Sequence, residues 1–97
     1  MEELKQHEFE VAKESHKLTC VLFKDNWCPK CKDMIHLLNN INKISRFQIY
    51  IIDVSENTDI LEKYSIKEVP TLIVFKSGRI VRFYEGDKII KDNLDLL

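Results

Sequence analysis

The sequence predicts a single α/β domain built on a mixed four-stranded sheet, with elements in the order α-β-α-β-α-β-β-α. Three observations carry that prediction. Two buried-strand patterns, Leu18–Phe23 and Phe47–Ile52, flank a helical repeat of apolar residues that starts at Cys31, and a crossover helix between two strands makes them parallel. Two further strand patterns, Thr71–Lys76 and Arg79–Tyr84, are separated only by Ser77-Gly78, a connection that permits only an antiparallel hairpin. The chain has 97 residues, 44% hydrophobic and 32% charged. That is enough apolar material for one core and too short a chain for two, so residues 1–97 read as one domain.

Each element has its own signal. From Leu4 to Ser15, apolar Leu4, Phe9, Val11 and Ala12 recur among charges at loosely helical spacing, predicting an amphipathic first helix. Leu18–Phe23 is nearly continuous in apolar character, the pattern of a strand buried on both faces, which places Cys20 in the core as an inert thiol. Lys24-Asp25-Asn26-Trp27 breaks the run, and Pro29 stands where a helix can begin, because Pro suits a first turn. Cys31, Met34, Ile35, Leu38 and Ile41 then fall at i, i+3, i+4, i+7 and i+10, predicting a helix that ends between Asn39 and Lys43. Phe47–Ile52, closed by Asp53, is the second buried strand. Ser55 or a neighbour can cap a short helix carrying Ile60, Leu61 and Tyr64. After the hairpin, Asp87 can open a last helix with Ile89, Ile90, Asn93, Leu94 and Leu97 on one face.

Composition narrows the function classes. Lys plus Arg number 15 against 16 Asp plus Glu, a net charge of −1, so no global field draws the chain to nucleic acid or anionic lipid. Apolar runs such as Leu72–Phe75 fall far short of the roughly 20 residues of a membrane span. The polar, acidic start Met1–Glu8 lacks the features of a secretory signal, so a cytoplasmic location is expected. Three cysteines, Cys20, Cys28 and Cys31, cannot form a multi-bridge framework. In a reducing compartment, a close pair such as Cys28 and Cys31 is redox-active or metal-binding more often than structural.

Cys28-Pro29-Lys30-Cys31 is the set best placed for chemistry, since it follows a strand and opens a helix. The unpaired N–H groups and positive dipole end of that helix, with the charge of Lys30, favour a thiolate at Cys28. Cys31, one turn on, can attack a mixed disulfide formed at Cys28 and release the substrate. Trp27 either offers a flat apolar surface to a partner or is a partly buried aromatic. Glu68-Val69-Pro70-Thr71 opens the third strand, and Pro at a first strand position is by itself a weak signal. His7, His16 and His36 read as solvated, as does the basic set Lys76, Arg79, Arg82 and Lys88.

Trp27-Cys28-x-x-Cys31, a strand ending in Asp53, Val69-Pro70-Thr71 about 40 residues after the pair, and a hairpin with Lys76-Ser77-Gly78-Arg79 together resemble thioredoxin over almost the whole chain. The resemblance implies a thioredoxin fold and a dithiol oxidoreductase that reduces protein disulfides, with Cys28 as nucleophile and Cys31 as resolving thiol. It also implies a cis Pro70 packed against the pair, backbone hydrogen bonds from Val69 to an extended substrate, and a small residue at Gly86 that lets substrate approach. Expected partners are disulfide-containing client proteins and thioredoxin reductase or another dithiol donor. No cofactor, metal, nucleic acid or membrane is expected, and the chain is expected to be a monomer.

Departures from the family pattern open rival readings. Pro29-Lys30 stands where thioredoxins usually carry Gly-Pro, with the Pro where glutaredoxins place it, and the dipeptide influences the potential. Leu22 replaces a buried Asp, and Ile49 and Tyr50 stand where its usual Lys partner would be, so both halves of a buried pair are gone together. Proton transfer to Cys31 is then left to water, Asp25 or Lys30. A glutaredoxin would carry a Gly-Gly pair, which this chain lacks. A zinc site would need four ligands where two thiols supply half. A client-specific redox partner or binding module on the same fold is the third rival.

Overall fold

A computed structural model describes residues 1–42 and 48–86. The elements, in chain order, are β1 (Glu2–Glu3), α1 (Gln6–Ala12), β2 (Thr19–Lys24), α2 (Pro29–Asn42), β3 (Gln48–Asp53), α3 (Thr58–Lys63), β4 (Thr71–Lys76) and β5 (Arg79–Glu85). β2 lies at the centre of the sheet, whose order is β1-β3-β2-β4-β5. It pairs parallel with β3 and antiparallel with β4, and β4 pairs antiparallel with β5, as the crossover and the short hairpin predict.

Side-chain alternation explains why β2 is apolar throughout. Val21 and Phe23 point to one face, into a cluster with Phe9, Ile52, Ile60, Ile73 and Phe75. Cys20 and Leu22 point to the other, into a cluster with Met34, Leu38, Ile49, Leu72 and Val74. Successive strand residues face opposite ways, so a strand with helices on both faces has no polar side. α1 and α3 contribute Phe9 and Ile60 to the first cluster, and α2 contributes Met34 and Leu38 to the second.

The sheet has five described strands where four were expected. Glu2 and Glu3 pair parallel with Tyr50 and Ile51, and the Leu4 N–H donates to the Ile51 carbonyl at 2.7 Å. A two-residue acidic strand has no alternation to detect, and its presence shortens the predicted Leu4–Ser15 helix to Gln6–Ala12. Ser55 does not cap α3; the residue at the N-cap is Asn57, and the Ser55 hydroxyl instead donates to Asp53 Oδ1 at 2.6 Å. In the hairpin, Ser77 and Gly78 have φ of 52° and 81°, the positive values a tight turn matched to strand twist requires. Its tip is fastened to the α1–β2 loop, because the Ser77 and Gly78 N–H groups donate to the Ser15 and Lys13 carbonyls, each at 2.8 Å. The helix predicted from Asp87, and with it Lys88 and Phe47, lies outside the described residues.

One buried ion pair joins the strand ends nearest the site. Lys24 Nζ lies 3.3 Å from Asp53 Oδ2 and 3.1 Å from Glu3 Oε1, and it donates to Asn26 Oδ1 at 2.9 Å. Burial opposes the charge of Asp53, but hydrogen bonds from Ser55 and Lys24 outweigh it and hold the carboxyl below its ordinary 3.8. Burial likewise opposes the charge of Lys24, and Glu3 and Asp53 outweigh it, raising the ammonium above 10.5. Asp53 therefore contributes stability that is fully present above its unfolded value and is lost as pH falls through its lower folded value. Lys24 contributes stability that is lost only as pH rises through its folded value, above 10.5. Asp53→Asn is expected to be less stable than the wild type near neutral pH, with the gap narrowing below about pH 4. Urea midpoints measured down an acid series check this, and a pH-independent gap would refute it.

Candidate active site

The site is assembled where β2 gives way to α2. Asp25 Oδ1 accepts the Trp27 N–H at 2.7 Å, an Asx-type turn that reverses the chain after the strand. Pro29 then starts α2, where its missing N–H costs no hydrogen bond. Cys28 thus sits immediately before the helix, half-buried, and Cys31 sits one turn in, only 1% exposed. The two are joined as a disulfide with their Cα atoms 5.2 Å apart. The Cys31 N–H is directed at Cys28 Sγ, 3.1 Å away. That donor, at the positive end of α2, favours a thiolate on Cys28 once the disulfide is reduced.

A second segment, 41 residues on, closes over the sulfur. The Val69–Pro70 peptide is cis, Pro70 is buried, and the Val69 carbonyl oxygen stands 3.8 Å from Cys28 Sγ. The Thr71 hydroxyl donates to the Glu68 carbonyl at 2.6 Å, and the Gly86 N–H donates to the Pro70 carbonyl at 2.8 Å. Gly86 has φ of +54°, a left-handed conformation that side chains disfavour. The residues singled out from sequence thus separate into Cys28, Cys31 and Val69, which meet at the Cys28 sulfur, Pro70 and Gly86, which are joined to each other by a backbone hydrogen bond, and an exposed rim of Trp27, Pro29 and Lys30. Trp27 is 91% exposed, which excludes the reading of it as a partly buried aromatic and leaves a flat apolar face beside Cys28.

The rim also holds residues that the sequence reading passed over. A depression of about 360 Å³ is lined by Asn26, Trp27, Cys28, Pro29, Lys32 and Asp33. Lys32 lies four residues after Cys28, one helical turn along, and that spacing was the available signal. Beneath the site there is no charged replacement at the expected place. Leu22 is fully buried, with Ile51 and Leu72 as its register partners, and Ile49 packs in the same apolar cluster. The Lys24–Asp53 pair lies one alternation further along the same two strands. Asp25, offered as a proton carrier, has Oδ1 engaged by the Trp27 N–H.

Cys20 plays no part in the pair. It is fully buried, and burial pushes its thiol up to about 12, so its thiolate population at neutral pH is negligible. His7, His16 and His36 are exposed. Among the described residues there is no cluster of three or more His, Cys, Asp or Glu able to hold a metal ion, and no helix long and apolar enough to cross a membrane.

Comparison with known proteins gives one family. Residues 1–95 match the Thioredoxin family model. The chain is 32% identical over 79 residues to Thioredoxin Y, chloroplastic, of Oryza sativa subsp. japonica, a match covering 79% of this chain and 47% of that protein. It therefore spans about half the length of the rice relative. With the thioredoxin of Buchnera aphidicola subsp. Baizongia pistaciae it shares 33% identity over 88 residues, covering 86% of this chain and 81% of the other. Among solved structures, Plasmodium falciparum thioredoxin superimposes with a TM-score of 0.83 at 27% identity, covering 89% of this chain and 86% of that one.

Proposed function

The chain belongs to the thioredoxin family, whose members are thiol–disulfide oxidoreductases, and we propose that it reduces disulfides in client proteins with Cys28 as nucleophile and Cys31 as resolving thiol. The observation that carries this reading is the pairing of Cys28 with Cys31 across the first turn of α2, opposite the Val69 carbonyl. Cys28 is the more accessible of the two sulfurs, and the helix terminus favours its thiolate.

In the first step the Cys28 thiolate attacks one sulfur of the client disulfide. The client S–S bond breaks, a Cys28–client bond forms, and the other client sulfur leaves as a thiolate and takes up a proton. In the second step Cys31, having lost its proton, attacks Cys28 Sγ. The Cys28–Cys31 bond forms and the remaining client sulfur leaves and is protonated. The client gains two electrons and two protons, and the enzyme pair loses them. A reductase or another dithiol donor returns the electrons, so the exchange needs only sulfur chemistry and no bound cofactor.

The surrounding residues divide the remaining work. Val69 offers its backbone to an extended client segment, as in strand addition, while Pro70 and Gly86 form the wall behind it. Trp27 supplies an apolar platform on the other side of the sulfur. Pro29 starts the helix that polarises Cys28, and Lys30 adds positive charge within the same turn. Residues 1–97 act as one thioredoxin-like unit, monomeric and at home in a reducing, cytoplasmic compartment. Insulin reduction with dithiothreitol or thioredoxin reductase as donor tests the function. Acceleration over donor alone is expected, and none would overturn the reading.

A further inference from the structure

We propose that Glu68 biases the site toward client segments with a lysine or arginine beside the disulfide cysteine, an inference that rests on the reductase reading. Glu68 immediately precedes Val69, whose carbonyl oxygen is 3.8 Å from Cys28 Sγ. Its backbone is held by the Thr71 hydroxyl, which donates to the Glu68 carbonyl at 2.6 Å. Its side chain folds over Gly86, so closely that a Cβ at that glycine would come 3.0 Å from Oε1 and 3.2 Å from Oε2. Gly86 is itself tied to the Pro70 carbonyl at 2.8 Å. The wall that a client segment passes therefore carries a carboxylate where the backbone alone would have left an open, neutral glycine.

The rest of the rim does not duplicate that charge. Val69 and Pro70 offer neutral backbone, which pairs with any extended sequence. On the far side of Cys28, the depression beside Trp27 is lined by Lys32 and Asp33, whose charges oppose each other. Lys67, the neighbour of Glu68 in sequence, is exposed. Among the described residues, the Glu68 carboxylate is the group that lies against Gly86. It attracts a cationic side chain flanking the client cysteine and repels an anionic one.

The test uses two synthetic peptides, each closed by one disulfide and identical except for Lys or Glu next to a cysteine, with dithiothreitol as donor. For the wild type, kcat/KM is expected to favour the Lys peptide by about three- to tenfold at low salt, the product of a surface-strength attraction and a similar repulsion. The ratio should shrink toward one in high salt, because exposed charges are screened. In Glu68→Gln the ratio should lie near one at either salt concentration. Being a ratio within one variant, it is insensitive to a general loss of activity or folding. A wild-type ratio near one, or a ratio that survives Glu68→Gln, overturns the assignment while leaving the reductase reading intact. Failure of the wild type to reduce either peptide overturns both.

Discussion

Cys28→Ser is expected to lower insulin reduction by at least about a thousandfold, because it removes the accessible sulfur proposed to start the exchange. Cys31→Ser should behave differently. It retains the accessible sulfur at the start of α2 but loses the one that resolves, so it should accumulate a covalent Cys28–client species, seen as a mass increase equal to the client and abolished by excess dithiothreitol. The asymmetry follows from position: Cys31 is only 1% exposed, with its own N–H directed at Cys28 Sγ. Trapping by Cys28→Ser and not by Cys31→Ser would reverse the assigned roles.

Phe9→Ala should have the largest effect on stability, about 3–5 kcal/mol. Phe9 is fully buried and meets Phe75, Tyr64 and Phe23 edge-on, with ring centroids 5.5, 5.6 and 5.9 Å away. Truncation leaves a cavity in the cluster that joins α1 to the sheet, and no neighbouring ring can fill it without abandoning its own edge contacts. Denaturant midpoints with unchanged slope would measure the loss. A change below about 1 kcal/mol would mean that α1 can repack and is not essential to this core.

What could be read in advance depended on whether a residue's signal was local. The Leu18–Phe23 run, the helical spacing from Cys31 to Leu38 and the Ser77-Gly78 turn are patterns of period and turn chemistry, and all three describe the observed elements. The Cys28–Cys31 pair was legible because strand, tryptophan, proline and helix follow one another within a dozen residues. β1 was not legible, since Glu2 and Glu3 become a strand only through β3. In sequence Lys24 groups with the residues that break the strand run, yet it ends β2, and its ion pairs depend on Glu3 and Asp53, which come from two other strands. The position of Glu68 over Gly86 likewise needs the hairpin to bring together residues 18 apart in the chain.

The departures from the family pattern bear on direction rather than on fold. Leu22 fills with hydrocarbon the place of a buried acid, and an apolar replacement of a buried pair costs little stability when both charges leave together. We propose that proton transfer to Cys31 in this chain then uses water, Asp25 or Lys30.

The central claim is that Cys28 and Cys31 form a reducing dithiol–disulfide couple. Its most direct test is a redox titration of the pair in a dithiothreitol or glutathione buffer, read by thiol alkylation and mass. The account predicts a single two-electron transition more reducing than about −230 mV, toward the value of about −270 mV typical of thioredoxin. A midpoint at about −200 mV or above, or no intrachain disulfide at any poise, would contradict it.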